Sequence, residues 1–306
     1  QVSSAASDVY KRQLLLFFSF QFNVKAATFC NSLTNNGNVT INQTDSFCFY
    51  GHSGNGSNSS GAADNATFTN NGTITLRHRN VYGYHISFNN VKMINNGTIN
   101  TSAGDNQEYL NPFLDSGDNT EITNNGTINL NYGVSGGKGN NKALRMVNGN
   151  GQSFTNSIGA SVTVIGRDNL PGGMIQNDNT TVTNNGTFTI GGNGTTQQAI
   201  RYYDTTDGHT LINTGTLTQN GSTDAILNEG TNVVITNTGT INGATYDINN
   251  TGTITTLTND QGGSDTLTYN GVLPTNYKAK VNSTSDFGKV TFSSESGSLT
   301  FGLDSN

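Results

Sequence analysis

One six-residue motif, Thr-Asn-Asn-Gly-Thr-Ile, recurs along most of the chain and limits what the chain can fold into. Near-identical copies begin at Thr69, Thr123 and Thr183, and weaker copies lie between and beyond them. Their glycines stand at positions 37, 72, 97, 126, 159, 186, 215 and 239, so successive copies are 35, 25, 29, 33, 27, 29 and 24 residues apart. A period in this range predicts a solenoid in which each repeat stacks on the one before it.

Asn-Gly between apolar runs is also a hairpin signal, and the alternation of side chains decides between the two structures. A two-residue Asn185-Gly186 loop would pair Val182 with Thr189, which puts Val182 and Phe188 on opposite faces. A slip of one residue moves every apolar side chain to the wrong face, so most copies reject the hairpin. Each strand is therefore expected to pair with its equivalent in the next coil.

Apolar residues alternate with threonines after each turn, as in Phe188 and Ile190 against Thr187 and Thr189. A period of two predicts a strand. A second apolar group, such as Met174-Ile175, lies ten to fifteen residues before each next glycine. The predicted fold is all-β, a right-handed parallel β-helix with about three short strands per coil. Asparagines at the turns are expected to stack as a ladder and to tolerate left-handed backbone.

The composition agrees with a polar solenoid. The 306 residues include 38 glycines, 3 prolines and no tryptophan, and only 11% are charged. Disordered chains usually combine high net charge with few β-branched residues, whereas β-branched residues recur in register here. The formal charge of −6 and the isoelectric point near 5.0 argue against nucleic acid as a partner, because a basic face would be expected for one.

The first 27 residues are expected to lie outside the mature fold. Residues 1–13 resemble a translated adaptor remnant and are interpreted as a non-native leader. Residues 14–27 hold an apolar run that follows Lys11-Arg12 and ends in Ala26-Ala27, which is the pattern of a secretory signal peptide. The run is too short for a membrane-spanning helix.

Export bears on the two cysteines, Cys30 and Cys48, because disulfides persist in oxidising compartments. A disulfide between them is favoured over two free thiols, and a metal site is not expected because no paired histidines accompany them. The repeat domain is predicted to span residues 28–258. A denser, more aromatic β segment follows over residues 259–306.

That last segment carries a recognisable block: Gln261-Gly262-Gly263, Leu267-Thr268-Tyr269-Asn270-Gly271, Leu273-Pro274-Thr275-Asn276-Tyr277 and Phe287-Gly288-Lys289. Together with the upstream repeats, it resembles the end of the passenger region of autotransporter-type bacterial surface proteins, which use type V secretion. The resemblance implies export, a β-helical passenger displayed at the cell surface, and attachment to the outer membrane only through a C-terminal barrel beyond Asn306.

Two groups of side chains combine aromatic rings with basic groups, a combination that can bind glycans by stacking and hydrogen bonding. Arg145 and Arg201 each stand 14 residues before a repeat glycine, so they are expected to project from one face two coils apart. The candidate surface-contact residues are Arg77, His78, Arg79, Tyr82, Tyr84, Arg145, Arg201, Tyr202 and Tyr203. Cross-strand pairing on a solvated surface is the simpler alternative.

Insertions between strands are further candidates for contact, since loops on a solenoid often carry function. They are predicted at Leu76–Tyr84, Thr101–Asp118 and Tyr132–Lys142.

A secreted carbohydrate-active enzyme, either a polysaccharide lyase or a glycoside hydrolase, is one alternative, since such enzymes use carboxylates on neighbouring strands. Its candidate residues are Asp204, Asp207 and His209 beside Arg201, and a cluster of Asp105, Glu108, Asp115 and Asp118. No carboxylates recur at a fixed offset in consecutive coils, so these residues are more simply read as solubilising loop residues.

An ice-binding β-helix is the other alternative, because flat threonine arrays on β-helices can bind ice. Outward Thr-x-Thr pairs occur at Thr73, Thr187, Thr216 and Thr253. Asparagine replaces the second threonine in other coils, and coil lengths vary, so the lattice is expected to be irregular.

The function that these observations favour is a cell-surface or secreted β-helical passenger that acts in adhesion or surface interaction and is not an enzyme. Glycans or the surface of a host or neighbouring cell are the expected partners, and no cofactor or metal is expected.

Overall fold

The computed structural model describes residues 29–30, 32–43, 45–52, 58–77, 80–101, 110–131, 142–165, 172–191 and 197–304. The predicted leader and signal peptide lie outside these residues. Within them, the regular secondary structure is entirely β-strand. The strands are β1 Thr34–Asn35, β2 Asn38–Ile41, β3 Ser46–Gly51, β4 Thr67–Asn70, β5 Thr73–Leu76, β6 Val81–Ile86, β7 Lys92–Asn95, β8 Thr98–Thr101, β9 Leu110–Asp115, β10 Glu121–Asn124, β11 Thr127–Asn131, β12 Leu144–Asn150, β13 Ser153–Asn156, β14 Ser161–Ile165, β15 Gly173–Asp178, β16 Thr181–Asn184, β17 Thr187–Gly191, β18 Ile200–Tyr202, β19 Thr210–Asn213, β20 Thr216–Gln219, β21 Ile226–Asn228, β22 Val233–Asn237, β23 Thr240–Asn242, β24 Ile248–Asn250, β25 Ile254–Asn259, β26 Leu267–Val272, β27 Asn276–Lys280, β28 Val290–Ser296 and β29 Thr300–Asp304.

Up to β25, every third strand pairs in parallel with its equivalent in the next coil, and after sheet 2 ends every second strand does, which gives three long sheets. Sheet 1 runs β1-β4-β7-β10-β13-β16-β19-β22-β25-β27-β29, and sheet 2 runs β2-β5-β8-β11-β14-β17-β20-β23. Sheet 3 runs β3-β6-β9-β12-β15-β18-β21-β24-β26-β28. The Asn-Gly turn joins a strand of sheet 1 to a strand of sheet 2. The predicted parallel β-helix with three strands per coil is therefore confirmed, and the hairpin is excluded.

The core is a set of apolar columns that run along the solenoid axis. In sheet 2, one column contains Ile74, Ile99, Ile128, Val162, Phe188, Leu217 and Ile241, each at most 1% exposed. Full burial of such a side chain is worth about 1.5–3 kcal/mol. Because each side chain is covered by its equivalents above and below, a coil gains this energy only when its neighbours are present.

A ladder of buried asparagines lies at the end of the sheet 1 strands, just before the Asn-Gly turn. Each Nδ2 donates a hydrogen bond to the Oδ1 of the equivalent asparagine in the next coil, at 2.8–3.1 Å. We term this column the inner ladder. Its members are Asn35, Asn70, Asn95, Asn124, Asn156, Asn184, Asn213, Asn237 and Asn259. The predicted ladder is confirmed.

The repeat glycine is required by close stacking of the turns. A Cβ atom on Gly97 would lie 2.0 Å from the carbonyl oxygen of Gly72, and one on Gly215 would lie 2.1 Å from that of Gly186. The expectation of left-handed backbone at these asparagines is wrong. Left-handed asparagines occur instead at the turn from sheet 3 to sheet 1, for example Asn119 with a φ of 52°.

The C-terminal segment continues the same stack. Strands β27 and β29 extend sheet 1, and β26 and β28 extend sheet 3, whereas sheet 2 ends at β23. In the last described coil, the core column of Tyr277 continues to Phe301, which is 62% exposed because no further described strand covers it.

At the other end, Cys30 and Cys48 form the predicted disulfide, with their Cα atoms 4.6 Å apart.

Candidate functional site

The outer face of sheet 3 gathers most of the predicted contact residues that the structure describes. The strand registers place six side chains in one column between two columns that face the core: Tyr50, His85, Leu114, Arg145, Met174 and Arg201. The prediction that Arg145 and Arg201 project from one face two coils apart is thereby confirmed. We use the name aromatic–basic face for Phe47, Tyr50, Tyr82, His85, Arg145, Arg201 and Tyr203.

Four rings pack together at the N-terminal end of this face. Phe47 stacks on Tyr50 with ring centroids 4.4 Å apart and on Tyr82 at 5.5 Å. His85 lies 5.0 Å from Phe47 and 5.1 Å from Tyr82. Phe47 and Tyr50 are each only 7% exposed, whereas Tyr82 is partly exposed. Aromatic pairs at such distances gain energy beyond area burial, so this cluster is a packed aromatic group in which Phe47 and Tyr50 are covered and Tyr82 is partly exposed.

Two arginines lie further along the face. Arg201 makes a bidentate ion pair with Glu229, with Nε–Oε2 at 2.9 Å and Nη2–Oε1 at 3.0 Å. Its guanidinium carbon also lies 4.3 Å from the centroid of the Tyr203 ring. The Nε of Arg145, in contrast, is buried and has no hydrogen-bond partner. Arg201 is therefore fixed and neutralised, while Arg145 keeps an unused donor near the same surface.

His85 stays neutral at physiological pH. Burial lowers its pKa to about 4, with smaller contributions from the positive charges of His52 and Arg145. Its Nδ1 is buried without a hydrogen-bond partner. The ring therefore acts as an aromatic surface in the cluster.

Two predicted contact residues lie in the core. Tyr84 is 0% exposed, and its hydroxyl donates to the carbonyl oxygen of Ile94 at 2.7 Å. Tyr202 is also 0% exposed, and its ring stacks on His209 with centroids 4.8 Å apart. The prediction that these two rings contact a ligand at the surface is wrong, because both pack inside the coil.

The predicted contact residues Arg77, His78 and Arg79 are not part of the aromatic–basic face that the structure describes. Arg77 is exposed and directly follows β5, at the end of a sheet 2 strand. His78 and Arg79 lie outside the described residues.

The predicted insertions at Leu76–Tyr84 and Thr101–Asp118 are only partly loops, because they contain β6 residues and β9. Residues 132–141 of the third insertion lie outside the described residues.

The catalytic alternative requires Asp204, Asp207 and His209 to converge in a groove. His209 is 0% exposed, and its Nδ1 accepts a hydrogen bond from the backbone of Thr180 at 3.4 Å. Asp207 is exposed, and its Oδ1 accepts from Thr231 and Asn232, each at 2.7 Å. The histidine faces the core and the aspartate faces solvent, so the required groove is not formed by these side chains.

The second acidic cluster is also built into the coil. Asp115 is 0% exposed, and burial raises its pKa to about 7, opposed by hydrogen bonds from Thr120 and Gly117. Asp105 and Glu108 lie outside the described residues. Among the described residues, no group of three or more histidine, cysteine, aspartate or glutamate side chains is placed to hold a metal ion.

Sequence reasoning missed the aromatic cluster at Phe47, Tyr50 and His85. Its signal was present in the runs Phe47-Cys48-Phe49-Tyr50 and Tyr82-Gly83-Tyr84-His85, each about one third of a coil before a sheet 1 strand. Once these runs are aligned as equivalent strands, the ring-bearing outward positions fall into register.

The comparisons with known proteins found no match. No family model matches the chain, and no curated protein or solved structure shows significant similarity to it. In the part of the chain that the structure describes, no helix is both long and apolar enough to cross a membrane.

Proposed function

We propose that the chain is an exported, non-catalytic β-helix that acts in adhesion or surface interaction and binds glycans through its aromatic–basic face. The observation that carries the proposal is the arrangement of that face. It combines the partly exposed Tyr82 of the aromatic cluster, the Arg201–Tyr203 pair, and Arg145, whose buried Nε has no hydrogen-bond partner, along one sheet.

Each part of the face suits a sugar. Apolar ring faces bind the C–H surfaces of a pyranose, and arginine donors bind hydroxyl or carboxylate oxygens. The bidentate pair with Glu229 holds Arg201 against Tyr203, so little side-chain entropy is lost on binding.

Binding is tested with the purified chain on a glycan array and on whole cells. Tyr203→Ala and Arg145→Ala are each expected to abolish or strongly reduce binding, since they remove the stacking surface and the free donor. Lys278→Ala is the matched control, because this exposed cation lies on sheet 1. Equal binding by all four proteins, or no binding by the unmodified chain, would contradict the proposal.

Export is tested separately by expressing residues 11–306, which keep Lys11-Arg12 before the apolar run, in a Gram-negative host and following the Cys30–Cys48 disulfide. We expect an oxidised, processed product outside the cytoplasm. A product that stays cytoplasmic with both thiols reduced would refute export while leaving the glycan proposal open to its own test.

A further inference from the structure

Sheet 2 presents an outer face of a different chemical character. Its outward residues form two columns of eight positions, which we name the threonine face. The first column is Asn38, Thr73, Thr98, Thr127, Ser161, Thr187, Thr216 and Thr240, and the second is Thr40, Thr75, Asn100, Asn129, Thr163, Thr189, Thr218 and Asn242. Eleven of these sixteen residues are threonines, and none is charged.

The threonine face is regular even though the coils differ in length. Thr216 pairs with Thr240, 24 residues later, and Asn38 pairs with Thr73, 35 residues later, yet no register shift occurs anywhere in sheet 2. The differences in length are taken up between the strands. Variable coil length therefore does not disturb the register, whereas Asn100, Asn129 and Asn242 interrupt the threonine column as expected.

The positions on this face repeat in two dimensions. Neighbouring strands lie about 4.7–4.9 Å apart, and residues two apart in a strand lie about 6.6–6.8 Å apart. The inner ladder borders the face along its whole length and links equivalent residues of successive coils by hydrogen bonds. The face is therefore a periodic grid in one register.

The side chains on the grid are available to water. None of the eleven threonine hydroxyls makes a hydrogen bond to another group in the described structure. Asn100 in the second column is an exception, because its Oδ1 is buried and makes no hydrogen bond. Each threonine adds a methyl group beside its hydroxyl, so the surface both binds water molecules and limits their positions.

The other two outer faces differ. Sheet 1 carries the ion pair of Lys92 with Glu121 among its outward residues, and sheet 3 carries Arg145 and Arg201. Charged side chains bind a strongly oriented local hydration shell that does not follow a lattice. Only sheet 2 keeps eight consecutive rungs free of charge within the described residues.

We infer that the threonine face binds ice. A large, uncharged, periodic face with no aromatic ring offers nothing for a sugar to stack on, so an ordered, periodic surface is the partner that matches it best. The two spacings of the grid are close to the repeats of oxygen atoms in hexagonal ice. Water ordered between the hydroxyl and methyl groups joins the ice lattice, and the rigid sheet loses little entropy on binding. This inference concerns a separate face and does not rest on glycan binding.

The test uses the purified chain in a dilute buffer that is cooled just below the melting point of ice in that buffer. The unmodified protein is expected to shape ice crystals, to inhibit recrystallisation and to produce thermal hysteresis. Thr189→Lys places a long cation in the middle of the grid and is expected to abolish these effects. Thr183→Lys is the matched control, because Thr183 is an outward threonine of the same coil on sheet 1.

Thr189→Val keeps the shape of threonine and removes only the hydroxyl, so it tests the face even if lysine disturbs folding. It is expected to reduce hysteresis without changing the far-UV circular dichroism spectrum. Ice activity that is absent in the unmodified protein, or lost equally in the Thr183 and Thr189 lysine variants, would overturn the inference. Retention on crystalline cellulose or chitin without any effect on ice would also overturn it.

Discussion

Replacing Asn124 with alanine removes a central member of the inner ladder. Asn124 is 0% exposed. Its Nδ2 donates to Asn156 Oδ1 at 2.9 Å and to the Ser161 carbonyl oxygen at 3.2 Å, and its Oδ1 accepts from Asn95 Nδ2 at 2.8 Å. Alanine leaves Asn156 Oδ1 with no donor, whereas Asn95 Nδ2 keeps its bond to the Gly97 carbonyl oxygen.

The cost follows from these contacts. A buried polar atom without a partner costs about 1–3 kcal/mol, and each hydrogen bond that is lost removes a further ~0.5–1.5 kcal/mol. We therefore expect Asn124→Ala to lower the free energy of unfolding by about 2–4 kcal/mol. The damage should also weaken coupling between the coils on either side, since solenoid stability depends on nearest-neighbour contacts.

Asn125→Ala is the control, because it makes the same chemical change one residue later. Asn125 is exposed, and its Nδ2 donates to Asn96 Oδ1 at 2.9 Å in a solvated outer row. Its loss should change stability by no more than about 0.5 kcal/mol. Urea unfolding followed by far-UV circular dichroism measures both variants. Equal destabilisation by the two substitutions would refute the reasoning that buried amide pairing, and not asparagine itself, stabilises the stack.

Three further predictions use the same unfolding assay. Gly97→Ala is expected to lower the free energy of unfolding by at least about 2 kcal/mol through overpacking, because its Cβ would lie 2.0 Å from the Gly72 oxygen. Gly37→Ala should be nearly neutral, since nothing lies within 4 Å of a Cβ there. Equal effects of the two substitutions would contradict the stacking explanation. Burial lowers the pKa of His209 to about 4, below the unfolded value of about 6.5. The contribution of His209 to stability is therefore full above pH 6.5 and is lost as the pH falls towards 4. The loss amounts to about 3 kcal/mol. His209→Asn keeps an acceptor near the Nδ1 position and should flatten the pH dependence by that amount; an unchanged acid profile would contradict it. Reduction of the Cys30–Cys48 disulfide should destabilise the first coil by about 3 kcal/mol. Limited proteolysis of the reduced protein should therefore cut the first coil before the rest of the chain. An unchanged digestion pattern would count against this prediction.

The repeat motif was sufficient to predict the solenoid, because the same residues recur where the same contacts recur. Phe188 and Ile190 show the strand period, and the stacked asparagines need only an equivalent asparagine in the next coil. The position of Tyr202 was also within reach of the sequence, since Ile200 faces the core and the residue two places later faces the same way.

Tyr84 shows where sequence reasoning fails. In β6, Val81, Tyr84 and Ile86 are all buried, so the alternation breaks between Val81 and Tyr84. Gly83 lies at this break: it is left out of the residue pairing on both sides, and a Cβ atom there would lie 2.7 Å from the carbonyl oxygen of Pro112 in the next coil. Proline in β9 also hides that strand from a propensity-based prediction. Both features depend on contacts between coils whose alignment the repeat does not give.

The inward positions of all three sheets are constrained by stacking, whereas the outward positions differ from sheet to sheet. Candidate functional residues are therefore sought on the outer faces. Inward positions must stack on their equivalents, so most of them are apolar residues or asparagines, with exceptions such as Asp115 and Gln219. Outward positions meet no such requirement, yet sheet 2 retains hydroxyl and amide residues over eight rungs, while sheet 3 concentrates rings and arginines. Good strand propensity explains a threonine at one such site but does not explain why charge is excluded from one face and admitted on the other two. Sheet 1 admits Lys92 and Glu121 in the same coils, so the fold itself does not exclude charge from an outer face.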